Sequence, residues 1–251
     1  MEERKQKEIE YYDKKVGDFQ RFKPSFLSSY KFLYQLLKNR CRDKVVLDFG
    51  CGAGLHSVQL AKMGAKKVIG IDLSEASLKA ARLRHEMQDT KHNIQFINMD
   101  CENLDFADSY FDVIFDGGTF SSIDLETTWP ELIRVLKPDG VLIGIETFGH
   151  NPLTNLKRKF NKLTGNRTAW AAKHIFRMPD LAKAKVYFGS TEAYYFHLVS
   201  WLAFPFLRLP GGKLLLKILE LTDRILLELP FLRKYSFKVV FIFSEPKKSN
   251  K

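Results

Sequence analysis

Three glycines, Gly50, Gly52 and Gly54, stand at alternate positions just after the apolar run Val45-Val46-Leu47 and its closing Asp48. Glycine at the end of a buried strand lets the backbone turn tightly into a helix and approach a ligand closely. Four more apolar runs also close on an acid: Asp72, Asp100, Asp116 and Glu146. One carboxylate at a strand end is ordinary turn chemistry. Five at successive strand ends point to a ligand rich in hydrogen-bond donors. The register Gly-x-Gly-x-Gly differs from the Gly-x-Gly-x-x-Gly of dinucleotide sites, and Asp48 would repel a pyrophosphate while attracting an ammonium. Asp72 lies 18 residues beyond Gly54, where a carboxylate can accept two ribose hydroxyls. Asp100 ends the third run, within reach of an exocyclic adenine amine. An amino acid joined to adenosine satisfies all three acids.

These residues need a scaffold that brings strand ends together. Lys44–Asp48, Lys67–Asp72, Asn93–Asp100, Phe111–Asp116 and Val141–Glu146 are expected strands, and Lys137-Pro138-Asp139-Gly140 an expected turn. Helices are expected after the glycines as far as Gly64, from Ser77 to Met87 with Ser74 as N-cap, and around Trp129 to Leu136. Alternating strands and helices predict βαβ units in a mostly parallel sheet, with the ligand at the carboxyl ends of the strands.

In this order and spacing the segments resemble the class I S-adenosylmethionine-dependent methyltransferases. The resemblance covers roughly residues 40–147. It is carried by Val45–Gly54, Gly70-Ile71-Asp72-Leu73-Ser74, Met99–Leu104, Phe111–Ile114 and Leu136–Leu142. It is closest to the branch of quinone-biosynthesis and small-molecule or sugar methyltransferases. It implies a Rossmann-like seven-stranded α/β sheet, mostly parallel with an antiparallel edge strand, and S-adenosyl-L-methionine as cofactor. By the same resemblance Asp48 with the backbone of Gly50, Cys51, Gly52 and Gly54 cradles the methionyl end. Asp72 holds the ribose, Leu73 packs on the adenine, Asp100 and Cys101 face its edge, and Asp116 with Gly117 lines the floor near the sulfonium. The run Gly117-Gly118-Thr119-Phe120 departs from the usual polar-aromatic pattern, which leaves the acceptor pocket open. Two further strands are expected at Thr191–His197 and Phe237–Phe243, paired antiparallel at one edge.

The 251 residues suit one domain, and their composition, 45% hydrophobic and 27% charged with 21 Phe, excludes a disordered chain. Cys41, Cys51 and Cys101 form neither a disulfide framework nor a metal site, so no metal is expected. The charged start, Met1 to Lys15, lacks an apolar leader, and Leu198–Leu207 is too short to span a membrane, with Pro205 inside it. A cytoplasmic location follows as an expectation, with the inner face of a membrane as a second address.

Charge divides the chain. Residues 1–150 carry 21 Lys and Arg against 23 Asp and Glu, and residues 151–251 carry 19 against 6. The second half therefore predicts an anionic partner. Residues 1–42 are expected to be a helical lid, in which Pro24-Ser25 starts the helix that carries Tyr30, Phe32, Leu33, Leu36 and Leu37, and Tyr11 and Tyr12 fold over the ligand. Residues 43–251 are expected to be the methyltransferase domain, with insertions at about 150–185 and 198–236. The first insertion is basic through Lys157, Arg158, Lys159, Lys162, Arg167, Lys173, His174 and Arg177. In the second, Lys213, Lys217, Glu220, Arg224 and Glu228 mark one stripe of a helix otherwise covered by leucine and isoleucine. With Trp201, Phe204 and Phe206 before it and Arg233 and Lys234 after it, this helix suits an anionic membrane surface or a homodimer interface. No nucleic-acid module is apparent.

A methyltransferase acting on an oxygen of a small molecule, a lipid or a lipid-linked glycan is the leading expectation. His150, just past the fifth strand, is the first candidate for its general base, followed by His174 and Glu146. A nicotinamide-dependent oxidoreductase is the alternative, opposed by the glycine register and by Asp48 and Asp100. A non-catalytic membrane-associated S-adenosylmethionine-binding protein is a further one, opposed by the intact motifs.

Overall fold

The computed structural model describes residues 2–20, 26–88, 93–163 and 167–248. Seven strands form one sheet: β1 Val45–Phe49, β2 Lys67–Asp72, β3 Ile94–Asn98, β4 Phe111–Asp116, β5 Leu136–Thr147, β6 Phe188–Phe196 and β7 Lys238–Pro246. Their order is β3-β2-β1-β4-β5-β7-β6. β1 to β5 run parallel, and β7 lies antiparallel between β5 and β6. The antiparallel strand is thus one place inside the edge, which β6 occupies.

The expected turn at Lys137–Gly140 lies within β5. The register with β4 jumps there from Phe111 opposite Leu136 to Val113 opposite Val141, a bulge that absorbs the turn residues. The helices on the parallel half are α3 Leu55–Lys62, α4 Glu75–Glu86 and α5 Leu125–Val135. α3 ends before Gly64, which sits at φ 92°. The Ser74 hydroxyl caps α4 by accepting from the Ser77 N–H at 3.0 Å, as its position predicts. The second sheet half is joined by α6 Pro152–Leu163, α7 Ala169–Lys173 and α8 Met178–Tyr187, then by a 3-10 helix at Ser200–Phe206, α9 Gly212–Leu226 and α10 Pro230–Arg233.

Each face of the sheet carries a core, and β7 shows why. Val239, Phe241 and Phe243 enter one core while Val240 and Ile242 enter the other, the period of a strand buried on both sides. The abundance of phenylalanine is explained on the first face. There Phe120, Phe176, Phe241 and Phe243 pack with Trp129 under α5 and α8, and Phe241 stacks on Phe243 at 4.6 Å between centroids. On the other face α2, Ser28–Cys41, buries Leu33 and Leu37. The expected helix start at Pro24-Ser25 lies outside the described residues. α1, Glu3–Gln20, packs on α4.

Within the basic insertion the Arg158 guanidinium is turned inward, donating to the Phe148 carbonyl at 3.0 Å and to Asn155 Oδ1 at 2.6 Å.

Candidate functional site

The three glycines after β1 all have positive φ, 69°, 50° and 70° at Gly50, Gly52 and Gly54. A Cβ on Gly52 would meet no atom within 4 Å, because this residue borders an open cavity. The loop is tied to the next strand end, since Asp72 accepts from the Gly52 N–H at 2.9 Å through one oxygen and from the Ser74 N–H at 2.8 Å through the other.

The cavity has a volume of about 540 Å³, within the range of small-molecule sites. Its wall follows the sheet order. Asp72, Leu73, Asp100, Cys101 and Glu102 stand at the β2–β3 end. Gly50, Cys51 and Gly52 face Gly117, Gly118 and Thr119 across the middle. Tyr30, His56, Thr147 and Lys238 close the β5–β7 end. Arg4, Lys5, Glu8, Ile9 and Tyr12 of α1 form the roof. Lys5 pairs with Asp100 at 2.6 Å, Arg4 with Glu102 at 2.7 Å, and the Tyr12 hydroxyl bonds Ser122 Oγ at 2.9 Å. Tyr11 packs edge-on against Tyr12, one layer away from the cavity. Asp100, expected to face a ligand amine, has its oxygens engaged by Lys5 and by the Glu102 N–H.

Several expected residues stand behind the wall. Asp48 is buried under the glycine loop, accepts from Ser57 Oγ at 2.5 Å, and burial pushes its pKa up to about 7. Gly54 packs on α4, where a Cβ would come within 2.8 Å of the Ala81 Cβ. Asp116 shapes the next turn by accepting from the Thr119 N–H at 2.8 Å, and among the described residues its other oxygen has no partner. Burial and then the neighbouring Glu146 hold the Asp116 carboxyl well above the usual range.

None of the three candidate bases lines the cavity. His150 Nε2 accepts from the Met178 N–H at 3.1 Å, which occupies the lone pair a base needs. His174 stacks on Trp170 at 3.7 Å, with Nδ1 3.0 Å from the Trp170 carbonyl. Glu146 is buried and accepts from the Phe120 N–H at 2.7 Å. His150 follows β5 closely in the chain, but the chain turns away from the cavity after Thr147. His56, two residues past the last glycine, is the histidine on the wall. Its Nδ1 is 3.0 Å from the Tyr34 hydroxyl, its ring lies parallel to Tyr30, and burial lowers its pKa to about 4. Its place in the glycine motif was the available signal. For Lys238 and Tyr30 only the fold supplies one.

A ligand of the adenosyl amino acid type fits this wall: acids at one end, a glycine strip without side chains in the middle, and cavity left over at the β5–β7 end. Asp72→Ala is expected to weaken binding of S-adenosylhomocysteine by about 1–3 kcal/mol, the cost of losing a buried hydrogen-bonded group. Calorimetry checks this, and unchanged affinity would refute the assignment.

Comparison with known proteins agrees with the geometry. A family model described as a methyltransferase domain matches residues 46–140. Demethylmenaquinone methyltransferase of Staphylococcus saprophyticus is 30% identical over 161 residues, covering 57% of this chain and 67% of the relative. A putative protein N5-glutamine methyltransferase of Methanocaldococcus jannaschii is 32% identical over 150 residues, covering 51% and 73%. The chain spans between 26% and 67% of the length of the first three curated relatives. In fold it resembles the solved Haemonchus contortus phosphoethanolamine N-methyltransferase 2 in complex with S-adenosyl-L-methionine. That likeness has a TM-score of 0.63 at 17% identity, covering 87% of this chain and 53% of that one.

Proposed function

The chain belongs to the class I S-adenosylmethionine-dependent methyltransferases, and from that premise we propose that it methylates an oxygen of a lipid or lipid-linked acceptor at a membrane surface. S-adenosylmethionine supplies an electrophilic methyl on a sulfonium. The residues of this chain bind it, exclude water and align the acceptor oxygen, which is the larger part of such catalysis. Gly50–Gly52 and Asp72 are assigned to the cofactor. The proton of the acceptor hydroxyl is assigned to His56 Nε2, with Nδ1 donating to the Tyr34 oxygen. Burial lowers its pKa to about 4, so the ring is neutral at neutral pH and weakly basic, and its part is to accept a hydrogen bond from the acceptor hydroxyl.

The observation that carries the lipid reading is the outer face of α9. Leu214, Ile218, Leu221 and Ile225 form one stripe at helical spacing, and all are at least half exposed. Leu216 and Asp223 on the opposite face are buried. Phe206, Leu209, Leu229 and Phe231 extend the exposed apolar surface on both sides. Lys213, Lys217 and Arg224 run beside the stripe. An apolar stripe with cations along its border complements an anionic bilayer surface. Topology supports the same address. The segment 197–237 joins the end of β6 to the start of β7, beside Thr147, so it emerges at the sheet end where the cavity lies. Among the described residues no helix is long and apolar enough to cross a membrane.

The protein is expected to co-sediment with anionic liposomes, less with neutral ones, and less as salt shortens the Debye length. Leu214→Glu with Ile225→Glu is expected to abolish co-sedimentation while leaving S-adenosylhomocysteine affinity unchanged. A wild-type protein that ignores anionic liposomes and forms a dimer broken by the same pair of substitutions would make the stripe a subunit interface.

A further inference from the structure

We propose that Lys238 is the recognition point for an oxyanion, a carboxylate or a phosphate, carried by the methyl acceptor. The inference rests on the methyltransferase reading and specifies the acceptor's chemistry. Lys238 opens β7, directly opposite Thr147 at the end of β5 and Phe196 at the end of β6. Its side chain enters the cavity at the end away from Asp72 and Asp100, with Nζ 5.8 Å from the centre of the Tyr30 ring. Among the described residues it has no carboxylate within ion-pair distance, although it is half-buried.

The charges around it leave a positive surplus. Burial lowers the Lys238 pKa, Glu146 and Asp116 work against that, and Arg158 and Arg167 add to it. Both guanidiniums are turned into the protein, Arg158 onto the Phe148 carbonyl and Arg167 onto the Ala171 carbonyl, and among the described residues Arg167 Nε has no partner. Burial and then Glu146 push the Asp116 carboxyl toward its neutral form. Glu8, the acid that α1 adds to the wall, is also pushed toward its neutral form by burial. Burial pushes Glu146 in the same direction, so the three cations stand among acids that burial disfavours as anions. A cation in a partly dry cavity is costly unless an opposite charge meets it. An acceptor oxyanion over the Lys238 ammonium supplies that charge, and Thr147 and Tyr30 lie beside it on the same wall.

The test is calorimetry on the protein saturated with S-adenosylhomocysteine, titrated with benzoate, phenyl phosphate and the neutral benzamide. At least one oxyanion is expected to bind ten-fold or more tightly than benzamide, and the better of the two identifies the source. Lys238→Met is expected to remove the difference and Lys238→Arg to keep it, with S-adenosylhomocysteine affinity within about two-fold of wild type as the check on folding. Equal binding of all three probes to wild type overturns the proposal without any variant. So does an oxyanion preference that survives Lys238→Met or Lys238→Gln. A wild-type protein that fails to bind S-adenosylhomocysteine removes the methyltransferase reading and this proposal together.

Discussion

Replacing Gly54 by valine is expected to cost about 2–5 kcal/mol of folding stability, a large share of what a single domain has. Gly54 sits at φ 70° and ψ 18° as the N-cap of α3, a left-handed conformation that costs an L-residue roughly 1–2 kcal/mol and a β-branched one more. The side chain has nowhere to go. Its Cβ would lie 2.8 Å from Ala81 Cβ, 3.1 Å from the Ala81 Cα and 3.1 Å from the Phe96 ring. Relieving that overlap moves α4 away from the loop, at about 1–3 kcal/mol for overpacking. Gly52→Ala is the contrast. Its φ of 50° carries the same backbone cost, but its Cβ points into the cavity and meets nothing. Urea unfolding should therefore show a much larger midpoint shift for Gly54→Val than for Gly52→Ala. Calorimetry should show the reverse bias, with Gly52→Ala losing cofactor affinity out of proportion to its stability. Equal effects in both measurements would mean that the two glycines do not divide the work of packing and cradling.

That division was only partly legible in the sequence. The five acid-terminated runs and three glycines located the parallel half, because buried parallel strands are short continuous apolar segments whose ends carry the turn residues. β7, though antiparallel, was legible because it is buried on both faces, its residues alternating between two cores. What sequence could not sort was depth. Asp48, Asp72, Asp100 and Asp116 look alike as strand ends. Only the sheet order and the lid decide that Asp72 lines the cavity, that Lys5 engages Asp100, and that Asp48 and Asp116 lie beneath the wall. The acceptor end was the least legible. Thr147 and Lys238 are opposite each other on β5 and β7 yet 91 positions apart in the chain, with both insertions between them. Nearness in sequence favoured His150, whereas nearness in space favours His56, which reaches the same end from the other side of the glycine loop.

The buried Asp48 carries the second large expectation. Asp48→Asn is expected to stabilise the fold, by up to about 4 kcal/mol at pH above 7, with a gain that vanishes in acid. Desolvation raises the Asp48 pKa from 3.8 to about 7, with the nearby Asp72 adding to the rise and the Ser57 hydroxyl opposing it. The unfolded chain holds this proton only below about 3.9, so between about pH 4 and pH 7 the native state binds more protons than the unfolded one. Stability associated with this group is therefore fully present below pH 4 and is lost as the pH rises toward 7. Keeping this acid protonated up to about pH 7 in place of about pH 4 is worth about 4 kcal/mol, at 1.36 kcal/mol per pH unit. Asparagine cannot ionise and can still accept from Ser57 Oγ, so the difference between variant and wild type should open across that window and then level off. Chemical unfolding of both proteins from pH 4 to pH 8 measures it. A constant offset with pH would show that Asp48 titrates normally, and a destabilised variant would show that the carboxylate is needed for the loop itself. A gain of this size would mean that wild type keeps a costly acid beneath the loop on which the cofactor rests. Such a cost is the mark of a group held for binding rather than for folding. The same calorimetry, repeated in buffers of different ionisation heat, would then read whether cofactor binding draws the proton off Asp48.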